Sequence, residues 1–294
     1  PRHYPQTMNN PSQQRTLIVH FGGIGDFLLT CPTLALLARS RRITLVGKKE
    51  RLNLGVLAGI AESAIDWNAL PFDTLFSDPA PCLQPFIQPF DEAILWMKDS
   101  DTAAENLQRL GVLSVKSFPG LPPEEWNQHA SLYYAQCLGF EEVPPNDWKI
   151  NPSPLPHAAI LHPGSGNPKK NWPLENFLDV AHYLENRGLN IWWTRGPAET
   201  DLVLPDNLST LEDISLCELA RCLAGAVVYV GNDSGISHLA AAVRCPTIAV
   251  FGPTDPKVWA PRGQRVTVLK GNPWPAREEV LRSLDKILAL SRID

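Results

Sequence analysis

The 294-residue sequence contains no CxxC pair, and none of its six cysteines (Cys31, Cys82, Cys137, Cys217, Cys222, Cys245) stands in a CxxC…H arrangement. That removes the usual zinc-module and thiol-redox readings and leaves reduced thiols of a cytosolic protein. Cys31, Cys137, Cys222 and Cys245 lie beside apolar or small residues, where a thiol packs as a small hydrophobe. No apolar run approaches the ~18–20 residues of a membrane span. Lys and Arg do not cluster as a nucleic-acid surface requires, and the formal net charge is -5 with a pI of about 5.8. Residues 1–14, PRHYPQTMNNPSQQ, lack an apolar h-region and read as a floppy tail or tag remnant rather than a signal peptide. Low-complexity tracts and short internal repeats are missing as well. So are both common nucleotide fingerprints. In "FGGIGDF" the glycines Gly22, Gly23 and Gly25 fail the GxGxxG spacing because Leu28 takes the third place, and no Gly-Lys-Ser/Thr occurs.

Apolar residues are plentiful. They make up 44% of the chain, enough for one large core or two moderate ones. Short β-rich runs alternate with longer helical ones, which argues for parallel sheets covered by helices. In the first half, strands are expected at 16–21, 43–47, 93–97 and 112–117, with helices at 27–39, 48–58, 102–110 and 124–138. The stretch 71–90 is rich in proline and aromatics and reads as an irregular surface excursion. "GFEEVPPNDWKINPSPLPH", Gly139 to His157, is proline-rich and reads as a linker. The alternation then restarts, with strands at 158–162, 190–194, 226–230, 247–251 and 266–270 and helices at 174–187, 216–224, 234–243 and 277–291. The expectation is two α/β domains, 15–150 and 151–294. Ligands of such sheets sit outside the carboxyl ends of the strands.

Four loops fall at such ends. Gly22, Gly23 and Gly25 follow a strand and open a helix, so backbone N–H groups can approach a ligand. Asp26 at that junction can cap the helix, hold a nucleotide or take a proton. In "LHPGSGNPKKNWPLENF" a hydroxyl, glycines, two lysines and a helix start with Pro173 at its first position suit a diphosphate. Lysines in a solvated turn are the plainer account of that pair. In "WWTRGPAETD" a helix is expected to start near Pro197. Glu199 either favours that helix's dipole or accepts hydrogen bonds from ribose hydroxyls. The densest segment is "YVGNDSGISHLAAAVRCPTIAVFGPTDP", in which Asp233 or Ser234 caps a small-residue helix. The N–H groups of Ser234, Gly235 and Ile236 would face a phosphate, and His238 is either structural or a further donor.

The ordered series "GGIGDFLLTCP", "HPGSGNPKKNWP", "GPAE", "GNDSGISHLAAA" and "FGPTDP" resembles glycosyltransferase family 9, the lipopolysaccharide heptosyltransferases. The resemblance is densest from 158 to 262. It implies a GT-B architecture, two Rossmann-like domains with parallel sheets facing a central cleft, the acceptor on the N-terminal side and the nucleotide-sugar donor on the C-terminal side. It implies an inverting enzyme whose chemistry needs no cofactor or metal. Asp26 matches the family's proposed general base, and Gly22, Gly23 and Gly25 its acceptor-side loop. Lys170, Ser165 and Gly166 match positions near the donor diphosphate, and Glu199 the nucleoside contact. Asp233, Ser234, Gly235 and His238 match the remaining donor segment. The implied donor is ADP-heptose or a relative, and the implied acceptor a hydroxyl of a cell-envelope glycan or glycolipid. Cytoplasmic location, with or without peripheral contact at the inner membrane face, follows from the same resemblance.

One departure concerns charge. Residues 15–150 carry 11 Lys/Arg against 16 Asp/Glu, which would not draw in a strongly anionic glycolipid through a long-range field. Arg39, Arg41, Arg42, Lys48, Lys49 and Arg51 form a local basic run, most of it expected as a solvated helix end and turn. Two other classes compete: a sugar-nucleotide epimerase, which would change the donor without acceptor, and a non-catalytic nucleotide-sugar-binding protein, which would bind without turnover.

Overall fold

The computed structural model describes residues 13–196, 199, 202, 204–205 and 208–290. Most of the expected tail therefore lies outside the described residues, as does Pro197, and Gln14 already opens the first strand. The chain forms two compact units, each built on its own parallel sheet. No helix among the described residues is long and apolar enough to cross a membrane.

The first unit comprises residues 13–21, 35–49 and 60–120. Its strands are β1 (Gln14–His20), β2 (Arg41–Gly47), β3 (Ser63–Asp66), β4 (Glu92–Trp96) and β5 (Ser114–Phe118). They pair in the order β3-β2-β1-β4-β5, all parallel. Strands covered on both faces read as unbroken apolar runs, and "LIV" of β1 and "AILW" of β4 are buried throughout. Along the chain α1 (Ile24–Leu37) follows β1 and α2 (Lys49–Leu57) follows β2. Glu92, 3% exposed at the start of β4, is bracketed by Arg41 (3.4 Å) and Lys116 (2.9 Å), so the buried carboxylate has partners. Arg42 pairs with Glu62 at 2.6 Å, so two cations of the basic run are spent on acids of this unit.

The proline-rich stretch 71–90 has no strand, only helical turns at Phe72–Phe76 and Pro81–Leu83 and the short α3 (Gln84–Ile87). It is not a surface excursion, however. Phe72, Leu75, Leu83 and Ile87 are buried in the unit's core, and Trp67 stacks on Phe72 with centroids 5.2 Å apart. From α4 (Asp101–Arg109), Asn106 Nδ2 donates to the carbonyls of Leu75 (2.9 Å) and Ser77 (3.0 Å). The aromatics that looked irregular as a pattern are anchors.

The second unit comprises residues 22–34, 50–59 and 121–290. After α5 (Ala130–Cys137) its strands are β6 (Ala158–His162), β7 (Asn190–Thr194), β8 (Thr210–Leu211), β9 (Val228–Asn232), β10 (Thr247–Phe251) and β11 (Val266–Lys270). Its remaining helices are α6 (Leu174–Glu185), α7 (Leu216–Gly225), α8 (Gly235–Ala242), α9 (Pro256–Trp259) and α10 (Arg277–Leu290). The sheet order is β11-β10-β9-β6-β7-β8. Counted from β6 this is the doubly wound dinucleotide-fold order, and its switch point lies between β6 and β9. The loops after those two strands are the ones that carry "HPGSG" and "NDSG".

Three local expectations shift. The helix expected over 124–138 begins only at Ala130, because His129 caps it: its side chain accepts the Ser131 N–H. Pro173 is the N-cap of α6 rather than its first residue. The stretch 139–157 has neither helix nor strand, yet Val143 and Trp148 are buried and the Trp148 N–H donates to the Ala242 carbonyl at 2.8 Å. Cys31, Cys222 and Cys245 are buried thiols, while Cys137 is half-buried.

Candidate functional site

The first glycine loop starts α1. Gly23 is its capping residue: its carbonyl accepts the Phe27 N–H at 3.1 Å, and its own N–H donates to Asp26 Oδ2 at 2.8 Å. An acid one turn in that reaches back to the cap amide is one leg of a capping box, and it sets a negative charge at the end of the dipole that favours it. Asp26 therefore does cap the helix. The cap occupies one oxygen of a half-buried carboxylate and leaves Oδ1 outside the bond. Thr30 Oγ1 donates to the Asp26 carbonyl (2.9 Å), and Arg51 Nη1 donates to the Gly22 carbonyl (2.9 Å). Arg51 thus stiffens the loop instead of standing free in solvent.

Two motifs 200 residues apart meet in this unit. A Cβ on Gly25 would lie 3.5 Å from Gly235 Cα and 3.6 Å from His238 Cδ2. A Cβ on Gly235 would meet Ile24 Cβ at 2.7 Å and the Gly25 nitrogen at 2.8 Å. The first turns of α1 and α8 touch backbone to backbone, and only glycine fits at 235. Ser234 is the N-cap of α8; its hydroxyl accepts the Ser237 N–H at 3.4 Å. The amides of Gly235 and Ile236 remain at the helix's positive end.

At the switch point the loops are tied by Asn232, fully buried at the end of β9. Its Nδ2 donates to the carbonyls of Pro163 (2.8 Å) and Gly164 (3.3 Å), and its Oδ1 accepts the Trp172 N–H (2.9 Å). Lys170, in the loop so held, reaches Asp233 Oδ2 at 2.8 Å. Thr254, from the loop after β10, donates to the same oxygen at 2.7 Å. Lys170 and Asp233, predicted from separate motifs, are therefore partners. Ser165 is buried; its hydroxyl lies 2.7 Å from both the Asn167 carbonyl and Asn171 Oδ1, shaping its own loop. A Cβ on Gly166 would meet nothing within 4 Å.

Glu199 has a side chain 9% exposed, close to the 7% of Asp233. Its N–H and carboxylate both bond Gly196, the side chain accepting the Gly196 N–H at 2.8 Å. Its oxygens lie 3.0 and 3.1 Å from His162 Nε2, and a Cβ on Gly164 would sit 2.4 Å from its carboxyl carbon. Burial alone would raise its pKa. The hydrogen bond and charge of His162, the Gly196 N–H and Arg195 outweigh that and hold it below the usual glutamate range. His162 itself, at the end of β6, carries the contacts inward: its Nδ1 is 3.2 Å from both Tyr229 Oη and Ser234 Oγ.

His238 lies buried on α8. Burial pushes its pKa down to about 4, with Asp233 pulling up and His129 and Lys170 pushing further down. The ring is then neutral at pH 7 and keeps one N–H donor. It also lines a cavity of about 20 Å³ with Leu28, Pro32, His129, Asn146 and Arg262, room for a single water.

His162, Tyr229, Asn232, Ser237 and Thr254 were not singled out from sequence. The available signal was a polar residue closing an otherwise apolar buried strand, His162 on β6 and Asn232 on β9.

Residues 122–287 match the family model described as glycosyltransferase family 9 (heptosyltransferase). Lipopolysaccharide heptosyltransferase 1 of Pseudomonas aeruginosa is 32% identical over 154 residues, 46% of this chain and 42% of that protein. The chain thus spans less than half the length of that curated relative. Among solved structures, the E. coli ADP-heptose lps heptosyltransferase II superposes with a TM-score of 0.76 at 16% identity, covering 95% of this chain and all of its own (100%). The E. coli heptosyltransferase WaaC with ADP gives 0.69 at 22% identity, covering 93% and 100%. At these identities the likeness bears on fold alone. These neighbours are GT-B heptosyltransferases, and two parallel-sheet α/β domains are what the sequence led us to expect.

Proposed function

The chain belongs to glycosyltransferase family 9, and from that premise we propose that it moves a sugar, heptose from ADP-heptose, to a hydroxyl of a cell-envelope glycan or glycolipid in lipopolysaccharide biosynthesis. Residues 15–150 take the acceptor and residues 151–294 the donor. The cytoplasmic side of the acceptor's membrane is the proposed place of action.

The observation that carries this reading is the meeting of α1 and α8 at Gly25 and Gly235. It sets the Asp26 turn beside the helix end where a diphosphate is favoured. In the proposed reaction the acceptor oxygen bonds to the anomeric carbon as its proton passes to Asp26. The bond from that carbon to the phosphate oxygen breaks, and the nucleoside diphosphate leaves with the electron pair. Attack opposite the leaving group inverts the anomeric centre. Lys170 and the α8 amides take up the developing charge without a metal, with Lys170 aimed by Asp233 and Thr254. His238, on the same helix, is the further hydrogen-bond donor to the diphosphate, which a neutral imidazole can be. One carboxylate suffices, because a nucleoside diphosphate leaves as an anion and needs no general acid to protonate it. Glu199 receives the ribose hydroxyls.

The test is a thermal-shift screen of ADP-, UDP- and GDP-sugars. A ligand that binds only the native state stabilises it, by about 2.7 kcal/mol at a hundredfold excess over Kd. ADP-heptose should raise the melting temperature most. No shift with any ADP-sugar would overturn the donor assignment.

A further inference from the structure

Among the polar groups around the switch point, one is placed to act on two candidate donor contacts at once. His162 is 1% exposed. A carboxylate can only accept, so the imidazole Nε2 facing both Glu199 oxygens at 3.0 and 3.1 Å carries the proton and donates. The opposite nitrogen faces Ser234 Oγ, the cap of α8, at 3.2 Å. The hydroxyls around it have little freedom. Ser237 Oγ lies 2.5 Å from the Asn232 carbonyl and must donate there, so Tyr229 Oη, 3.1 Å away, can donate to Ser237. The Ser234 hydroxyl is then the group that serves Nδ1. Gly164 completes the seat, since any side chain there would occupy the place of the Glu199 carboxyl.

We infer that His162 is a positioning residue for the donor nucleotide: one ring nitrogen aims the Glu199 carboxylate at the ribose hydroxyls while the other fixes the Ser234 cap beside the diphosphate. This rests on the proposed nucleoside role of Glu199. Neither contact alone needs a histidine. An imidazole spans the two because its nitrogens point in different directions from one rigid ring, whereas a Ser or Asn would reach only one side. The nucleoside end and the phosphate end of the donor site are thereby held in fixed relation by a side chain that touches neither.

The experiment separates the two arms. Glutamine at 162 keeps an N–H near the Nε2 place, and asparagine keeps polar atoms only near the Nδ1 place. ADP and 2′,3′-dideoxy-ADP are titrated calorimetrically into wild type, His162→Gln, His162→Asn and Glu199→Gln. The readout is the ratio of the two affinities within each variant, which any loss of folded protein leaves unchanged. Wild type should prefer ADP by about tenfold or more, the size expected of hydrogen bonds to a charged group. Glu199→Gln and His162→Asn should lose most of that preference, and His162→Gln should keep it. If His162→Asn retains the wild-type preference while Glu199→Gln loses it, the positioning role is overturned and the Glu199 reading stands. If wild type shows no preference, or Glu199→Gln keeps it, the Glu199 reading fails and the inference with it.

Discussion

Replacing Asp26 by asparagine separates two duties of one carboxylate. The cap bond from the Gly23 N–H, 2.8 Å long, ends on a side-chain oxygen that asparagine also has. The capping geometry should therefore survive, and stability should fall only by the lost charge–dipole attraction, about 0.3–1 kcal/mol. What asparagine cannot do is take a proton. A positioned general base contributes roughly 10²–10⁴-fold, or about 2.7–5.5 kcal/mol of barrier. Alanine is the contrasting control: it loses the cap as well, about 1 kcal/mol, and should lower the melting temperature by about 2 °C in a chain of this size. The assay pairs initial rates of sugar transfer from ADP-heptose with calorimetric ADP affinity. Asp26→Asn should lose at least a hundredfold in kcat with ADP affinity unchanged and the melting temperature lowered by no more than about 2 °C. Near-normal turnover would refute the base assignment and leave Asp26 as a cap alone.

Other consequences are equally concrete. Gly235→Ala should destabilise by about 1–3 kcal/mol, as overpacking against backbone does, since its Cβ would lie 2.8 Å from the Gly25 nitrogen. Gly166→Ala, with nothing within 4 Å, should be near neutral in the same thermal melts. Lys170→Met should cost about 10²–10³ in kcat, the usual loss for one oxyanion-stabilising donor; a loss confined to KM would contradict a role in charge uptake. The His238 pKa is depressed from 6.5 to about 4, so between those values the unfolded chain binds more protons and stability falls as pH drops. The full effect is about 3 kcal/mol. Urea melts from pH 7 to 4 should show this slope shallower in His238→Gln, and an unchanged slope would contradict it.

Several sheet strands were legible as short apolar runs set off from their flanks. β6, β7, β10 and β11 begin and end where the apolar runs do. Ser63–Asp66 and the two-residue Thr210–Leu211 escaped because such short edge strands carry too little pattern. The late start of α5 escaped because His129 is an unusual cap, recognisable only once its ring is seen on the Ser131 N–H. In the site, Asp26, Lys170, Glu199 and Asp233 were legible as carboxylates and a lysine in short glycine-marked turns. Their partners were not. His162 meets Ser234 across 72 positions and Asn232 meets Pro163 across 69, so these pairings exist only after two strands of the sheet align.

Asn232 has one more consequence. Its amide grips the loop that carries Lys170 at two points, the Pro163 and Gly164 carbonyls on one side and the Trp172 N–H on the other. The conformational entropy of the intervening segment is surrendered when the sheet forms and not when a nucleotide arrives. Donor binding then need not supply that ordering, and more of its contact energy appears as affinity. In the proposed donor site, the buried Asn232 amide thus acts on affinity by ordering the loop in advance.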